Sequence, residues 1–473
     1  MSNMDFSKIK EAYFIGIKGT GMAAMAEVLS KRGIKVSGSD TEEKFFTDEI
    51  LKRNKIPFFE GFSAEHVQSY VDLFVHSTAY TKENNVEVAE VEKRGGAIIS
   101  YPELLGLLFR EKLGIAVCGT HGKTTTTAML AHALKKAGKD PSAIVGSQVI
   151  DWQASMLSGK GDYFVAEADE YQNKLRFYDP WGAVLTSVDW DHPDFFPDPA
   201  SYREVFKQFV IRIPKTGFLS IWGDSADTID VAKSAECPVI KYGFAEDNEY
   251  RISNYSAAVH SEKEDAQEEI SQSFEVSFRG ESLGRFELKL SGRHNALNAT
   301  AAISVCHRLG ADMEKVRGAL RAFHGTSRRF EYLGKYKGAV IIDDYGHHPD
   351  EIEVTLKGAR EKYPQKNILA VFHPHTYSRT EALLHEFSQS FEDADSVVVL
   401  DIYASAREKA GKVSSKDLVE LINRYTPGKA YHIPTIEKAA EYLAGELGKE
   451  DVVVLIGAGN VWEIGKKLLE KGK

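Results

Sequence analysis

Three times along this chain an apolar run of strand length breaks at a glycine turn and continues as a helical pattern. The first is "EAYFIGIKGTGMAAMAEVLSKRG" from Glu11, the second "LGIAVCGTHGKTTTTAMLAHALKKAG" from Leu113, and the third "GAVIIDDYGHHPDEIEVTLKGAREKYPQKNILAVF" from Gly338. A strand that turns at glycine into a helix, and returns as another strand, builds parallel α/β layers and little else. A chain of 473 residues also exceeds what one apolar core usually serves. The spacing therefore predicts three domains: residues 1–108, 109–325 and 326–473. Between Asn248 and Gly292 the pattern shortens to alternating β segments. The acidic run "HSEKEDAQEE" inside them reads as a solvated hairpin loop.

The formal net charge of −10 argues against bulk attraction to nucleic acid or to an anionic membrane. It leaves local anion binding open, since amide nests and single lysines work on acidic proteins too. Cys118, Cys237 and Cys306 are too far apart for a CxxC metal site and too few for a disulfide framework. There is no run of about 18 apolar residues and no signal-like N-terminus, so the expectation is a cytoplasmic enzyme.

The central turn, "VCGTHGKTTTT", carries the most chemistry. Gly119 and Gly122 let the backbone curl so that N–H groups, with those of Thr120 and His121, converge on an anion. The following helix adds its positive end, Lys123 a mobile charge, and Thr124 or Thr125 a hydroxyl for Mg²⁺. The usual phosphate loop has a glycine at the position of Val117, so this is a shortened form. Two carboxylate clusters follow later strands: Glu167, Asp169 and Glu170 in "EADEY", and Asp191 with His192 in "DWDHP". Parallel sheets hold ligands at such strand ends. Glu167 is the better single metal candidate, because Mg²⁺ prefers oxygen and His192 by itself reads as a turn residue.

In the first domain "GIKGTGM", with Asp40 about twenty residues on, resembles a dinucleotide fingerprint. Lys18 stands where the strict pattern has its middle glycine. The turn can equally hold the diphosphate of another nucleotide, and Asp40 either accepts from a ribose or base or forms a turn. In the third domain "DDYGHHPDE" and "FHPHTYSRTEAL" place His347, His348, His373, His375 and Arg379 after successive strands. Adjacent histidines point apart and HPH is not a zinc spacing, so these clusters read as recognising charge. Arg328 and Arg329, at the junction, suit clamping a phosphate or base beside an aromatic ring.

These motifs together, "GIKGTGM", "SGSD", "GTHGKTTTT", "EADE", "DWDH", "GRHNALNA", "RRFE", "DDYGHHP" and "PHTYSRT" in that order, resemble the ATP-dependent Mur ligases over nearly the whole chain. The resemblance implies an N-terminal Rossmann-like domain for a UDP-sugar, a central P-loop ATPase sheet with a small β subregion, and a C-terminal Rossmann-like domain for an amino acid. It implies UDP-N-acetylmuramate near Gly19, Thr20, Gly21, Met22 and Asp40. It puts ATP on residues 119–125, with Lys123 on the phosphates, and Mg²⁺ on Thr124, Glu167 and His192. Asn295 matches the asparagine that reads the adenine; Arg329 and Asp344 match residues reaching ATP from the third domain, with Tyr345 near the base. His347, His348 and Arg379 resemble the group that receives the incoming amino acid, and Lys123, Glu167, His192, His347 and Arg379 form the implied catalytic set.

The implied reaction joins L-alanine to the lactyl carboxylate through an acyl phosphate, in a monomer or homodimer with no nucleic-acid or membrane partner. Two departures stand out. Lys18 replaces a family glycine, and Thr376 lies where some members have arginine. A third feature, "DEYQNKLRFYDP" with "DWDHPDFFPD", reads more like the related ligase that attaches a ready-made tripeptide to the same sugar nucleotide. The order of "DDYGHHP" and "PHTYSRT" favours alanine. An NAD oxidoreductase would leave Lys123, Glu167 and His192 unexplained, and a small-molecule kinase would leave the two flanking α/β units idle. A non-enzymatic nucleotide-binding module would leave the metal and arginine residues without work.

Overall fold

The structure is a computed structural model that describes residues 6–45, 47–192, 195–258, 269–403 and 411–472. It contains three sheets, one for each glycine-marked start. The first has five parallel strands, in the spatial order Phe58–Glu60, Lys35–Asp40, Glu11–Ile15, Leu73–His76, Ile98–Ser100. The order reverses beside Glu11–Ile15, and the helix Thr20–Lys31 starts at that crevice, where open α/β sheets bind ligands.

The central sheet has ten strands among the described residues, and the strand Leu113–Cys118, which runs into the central glycine turn, lies inside it, between Gly182–Leu185 and Tyr163–Glu167. The small β region is not a separate body. Tyr250–Ala257 pairs in parallel with Val239–Gly243 through Tyr242↔Tyr250 and Gly243↔Arg251, and carries two antiparallel strands, Gln272–Phe278 and Glu281–Leu288, onto the same sheet. The alternating pattern of those strands follows from packing one face only, on the helices Arg293–Arg308 and Met313–Ala322. The acidic run at 260–269 lies outside the described residues, apart from Glu269.

The third sheet has six strands, parallel except for its edge strand Glu331–Tyr336, which forms a hairpin with Ala339–Asp344. Its inner strands are buried on both faces, as their unbroken apolar runs require. Among the described residues no helix is long and apolar enough to cross a membrane.

The apolar cores divide unevenly. One cluster runs through the first two domains, joining Met25, Val28, Leu105 and Phe109 to Ile144, Met156, Phe164 and Tyr178. The third domain has two clusters of its own, drawn wholly from residues 330–468.

Candidate active site

The strand Leu113–Cys118 ends at Gly119, whose φ of +130° and crowded surroundings admit no side chain: a Cβ would lie 2.3 Å from Thr186 Oγ1. Gly122, at φ +78°, would place one 2.5 Å from Asn298 Oδ1. The loop between them is pinned to the neighbouring strand end. Thr120 N–H donates to the Ser187 carbonyl at 3.0 Å, and His121 N–H to Ser187 Oγ at 3.0 Å. The helix Lys123–Lys136 then begins, and the N–H groups of its first turn have no carbonyl within the helix to bond.

Lys123 folds back over this loop. Its Nζ donates to the carbonyls of Gly119 (2.6 Å) and Thr120 (2.9 Å) and to Glu170 Oε2 (3.0 Å). Burial works against the charge, but Glu170, Asp169 and Glu167 hold the ammonium above its ordinary range. Thr124 Oγ1 donates to Glu167 at 2.9 Å, and Gly146 N–H fixes the same carboxylate at 2.8 Å. Glu170 is fully buried, accepts from Tyr202 at 3.0 Å, and lies 3.7 Å from His192 Nε2. His192 therefore pairs with Glu170 and with Asp191, also at 3.7 Å, and its ring stacks on Tyr171 at 4.4 Å. Among the described residues, two groups bring ligand atoms within 4.8 Å of one another: Asp169, Glu170 and His192, and His121, His348 and Asp350.

The third domain faces this loop through the end of Ala339–Asp344 and the helix Pro349–Lys362. Asp344 accepts from Phe330 N–H and Gly346 N–H, both at 2.8 Å, and from Thr355 at 3.2 Å. Burial raises its carboxyl above the ordinary value against the pull of Arg329. Glu351 is the hub of the contact. It accepts from the N–H of His347 (2.9 Å) and His348 (3.2 Å), and lies 3.4 Å from His121 Nδ1 and 3.7 Å from Arg329. Arg328 is occupied elsewhere, with Asp343 at 3.1 Å and the carbonyls of Gly457 and Ala458, while Arg329 faces the cavity described below.

Between the two domains lies a cavity of about 430 Å³, lined by His121, Thr124, Asn295, Arg329, Asp344 and Trp222 among others. Asn295 is held by the Ser291 carbonyl at 2.7 Å and by Asn298 at 3.2 Å. Tyr345 is not in the lining; the side chains of Arg328 and Arg329 lie 5.0 and 5.3 Å from its ring centre. Beside the cavity, Arg379 reaches across to Asp191 at 3.4 Å, both side chains nearly buried. Burial opposes ionisation of Asp191, yet His192 and then Arg379 hold its carboxyl well below the usual range. Burial pushes the His347 imidazole down to about 3. His348 caps the helix Pro349–Lys362 by accepting from Asp350 N–H at 3.4 Å.

The first-domain residues form a separate group. Gly19 precedes the helix that Thr20, Gly21 and Met22 begin, and Gly21 leaves room for Tyr101, whose ring a Cβ would meet at 2.6 Å. The Asp40 carboxylate is directed at backbone: it accepts from Lys18 N–H (2.6 Å) and Thr41 N–H (2.8 Å). Here Asp40 shapes the turn.

Sequence reasoning missed Glu351 and Asn298. Glu351 was legible as the fourth residue of a capping box begun at His348, and Asn298 lies three residues after Asn295 on one helix face.

Comparison with known proteins gives the same frame. Three family profiles match in order: "Mur ligase family, catalytic domain" over residues 11–113, "Mur ligase middle domain" over 117–306, and "Mur ligase, glutamate ligase domain" over 328–459. A UDP-N-acetylmuramate–L-alanine ligase from Desulfitobacterium hafniense is 42% identical over 459 residues, covering 97% of this chain and 99% of that one. The protein of that name from Caldanaerobacter subterraneus is 40% identical, covering 99% of each. The crystal structure of a UDP-N-acetylmuramate–alanine ligase from Thermotoga maritima superposes with a TM-score of 0.81 at 25% identity, over 98% of both chains. The chain belongs to the Mur ligase family, whose members are ATP-dependent, amide-forming ligases.

Proposed function

We propose that this chain joins L-alanine to the lactyl carboxylate of UDP-N-acetylmuramate, with ATP as the energy source. The observation that carries the reading is the full-length match to ligases of that name, together with a cavity that unites the phosphate loop with Arg329 and Asp344. In this reading residues 1–108 take the UDP-sugar at Gly19–Met22, residues 109–325 take ATP, and residues 326–473 take the amino acid.

The lactyl carboxylate attacks the γ-phosphorus, the bond to the ADP oxygen breaks, and an acyl phosphate forms. The amine of L-alanine then attacks the acyl carbon; inorganic phosphate leaves with its oxygen, and the amine gives up a proton. Phosphoryl transfer asks mainly for positioning and charge neutralisation. Lys123 supplies that charge on exchanging its carbonyl partners for phosphate oxygens, and Arg329 supplies it from the other wall. Arg379 takes the amino-acid carboxylate, while His347, kept neutral by burial, does not repel the α-amino group.

The donors around the loop fit Mg²⁺: the Thr124 hydroxyl and Glu167 carboxylate are hard oxygen ligands beside the phosphate position, with Asp169, Glu170 and His192 forming a second set. When bound, the ion neutralises phosphate charge. Asp191 holds Arg379 in place, and the third domain, covering the loop, shields the acyl phosphate from water. The protein acts in the cytoplasm, as a monomer or homodimer.

The test is phosphate release with ATP, Mg²⁺ and UDP-N-acetylmuramate, comparing L-alanine with L-alanyl-γ-D-glutamyl-diaminopimelate. Release with alanine is expected. Release with the tripeptide alone would replace this reading by the recycling one.

A further inference from the structure

Lys18, the residue that departs from the glycine pattern, is 1% exposed, and its ammonium is spent on protein. Nζ donates to the carbonyls of Thr41 (2.8 Å) and Glu43 (2.9 Å), with Asp48 and Glu60 within 3.9 Å and the Phe58 ring at 5.2 Å. A buried ammonium with this many partners fixes the segment after Lys35–Asp40, so Glu43 leaves a held backbone. The Glu43 side chain then crosses to the third domain, where Oε1 accepts from the Tyr403 hydroxyl at 3.1 Å.

Tyr403 is tied to the segment that carries the amino-acid residues. Its N–H donates to the Pro374 carbonyl at 2.8 Å, and its carbonyl accepts from Thr376 N–H at 3.0 Å. Its ring stacks on His375, with centroids 5.6 Å apart and planes 17° apart. Thr376 sits at φ +67°, a region that a β-branched residue adopts only under constraint. It also starts the helix Tyr377–Ala382, accepting at its carbonyl from Thr380 N–H (3.2 Å) and Thr380 Oγ1 (2.7 Å). Arg379 stands on that helix, 3.4 Å from Asp191.

We propose that Glu43 and Tyr403 are positioning residues through which the sugar-nucleotide domain sets the loop that presents Arg379 to the amino acid. Neither touches the reacting atoms. The strained backbone at Thr376 keeps its geometry because Tyr403 holds it, and the tether from Glu43 fixes where Tyr403 stands. The pocket for the amino acid is thus complete only when the first and third domains meet. This rests on the reading of residues 374–380 as the amino-acid segment.

Two measurements test it. In the first, Tyr403→Phe, which keeps the ring on His375, and Glu43→Ala should each raise the KM for L-alanine about three- to tenfold, the range of one ordinary hydrogen bond, because this one is exposed to water. kcat at saturating alanine and the KM for ATP should hold. The double variant should be no worse than either single one, and Glu43→Gln, which keeps an acceptor, should behave as the unaltered chain. An unchanged alanine KM in Tyr403→Phe, or additive effects in the double variant, overturns the proposal. The second measurement needs no turnover: amide hydrogen exchange across residues 374–382 should quicken in Glu43→Ala. Equal exchange in the two chains overturns the tether. Absence of alanine-dependent phosphate release by the unaltered chain would instead sink the functional reading, and exchange would still decide the tether.

Discussion

Lys123 and Glu170 form the most constrained pair of the site. Glu170 is buried and Lys123 half-buried, 3.0 Å apart, and each is the other's counter-charge. Lys123→Ala should therefore do two things. Phosphate release should fall by at least about a hundredfold, the usual effect of removing a charge aimed at a transferring phosphoryl group. The melting temperature should also drop, since the Glu170 carboxylate loses its nearest counter-charge and keeps only Tyr202 and His192, at a cost of about 1–3 kcal/mol. Lys123→Ala with Glu170→Gln separates the two effects: thermal melts should recover while turnover stays lost, and UDP-N-acetylmuramate binding by calorimetry should be nearly unchanged throughout. A double variant that regains activity would remove Lys123 from phosphate binding. Gly119 offers a steric counterpart. Gly119→Ala should destabilise the protein by about 1–3 kcal/mol in urea melts and raise the KM for ATP, because a Cβ there meets Thr186 and the Ser187 backbone, neither of which can withdraw without moving a strand end.

At the scale of elements, the helix Lys123–Lys136 shows what a sequence reveals and what it hides. Its start was legible, because glycine, lysine and threonine after an apolar strand leave few alternatives. Its packing was not. His132 is buried within it, accepts from Trp152 Nε1 at 3.1 Å, and is pushed down by burial to about 4. Between pH 6.5 and 4 the unfolded chain binds a proton here that the folded chain refuses, so stability falls as pH falls through that window. Urea melts of the unaltered chain and His132→Leu at pH 7 and pH 4.5 should show this. The variant should lose less stability on acidification, by about 1–3 kcal/mol, whatever constant offset the lost Trp152 bond adds. Parallel slopes would mean that His132 does not titrate in this range. The same limit on legibility recurs across the fold. The three strand–turn–helix units could be read directly, because local patterning dictates them. The continuity of the small β region with the central sheet could not, because it depends on two residue pairs between Val239–Gly243 and Tyr250–Ala257. The pairing of His192 with Glu170, and the convergence of Glu351 on His121 and Arg329, arise where distant segments meet, and no spacing along the chain encodes those distances.

For the whole molecule, the division of the cores decides which parts move. The first two domains share one apolar cluster, in which Leu105 and Phe109 on one side meet Phe164 and Tyr178 on the other. Separating them would expose that surface, at about 25 cal/mol for every Å². The third domain keeps its cores to itself and meets the rest through polar contacts: Asp191 with Arg379, His121 with Glu351, and Glu43 with Tyr403. Contacts of that kind hide little apolar surface, which leaves relative motion as the default. The third domain is therefore the part expected to swing when ligands enter, and here Arg329 and Asp344 line the cavity beside the loop 119–122. Small-angle scattering should give a radius of gyration that shrinks when UDP-N-acetylmuramate and a non-hydrolysable ATP analogue are both present. Raising the salt concentration without ligands should enlarge it slightly, because salt screens the more exposed charges at the seam and leaves the nearly buried Asp191–Arg379 pair largely intact. Asp191→Asn should enlarge it further at low salt and leave the ligand-bound value little changed, since bound nucleotide then bridges the two walls in its place. A radius indifferent to ligands, salt and this substitution would mean that the three domains move as one body, and that ligands reach the cavity without the third domain swinging away.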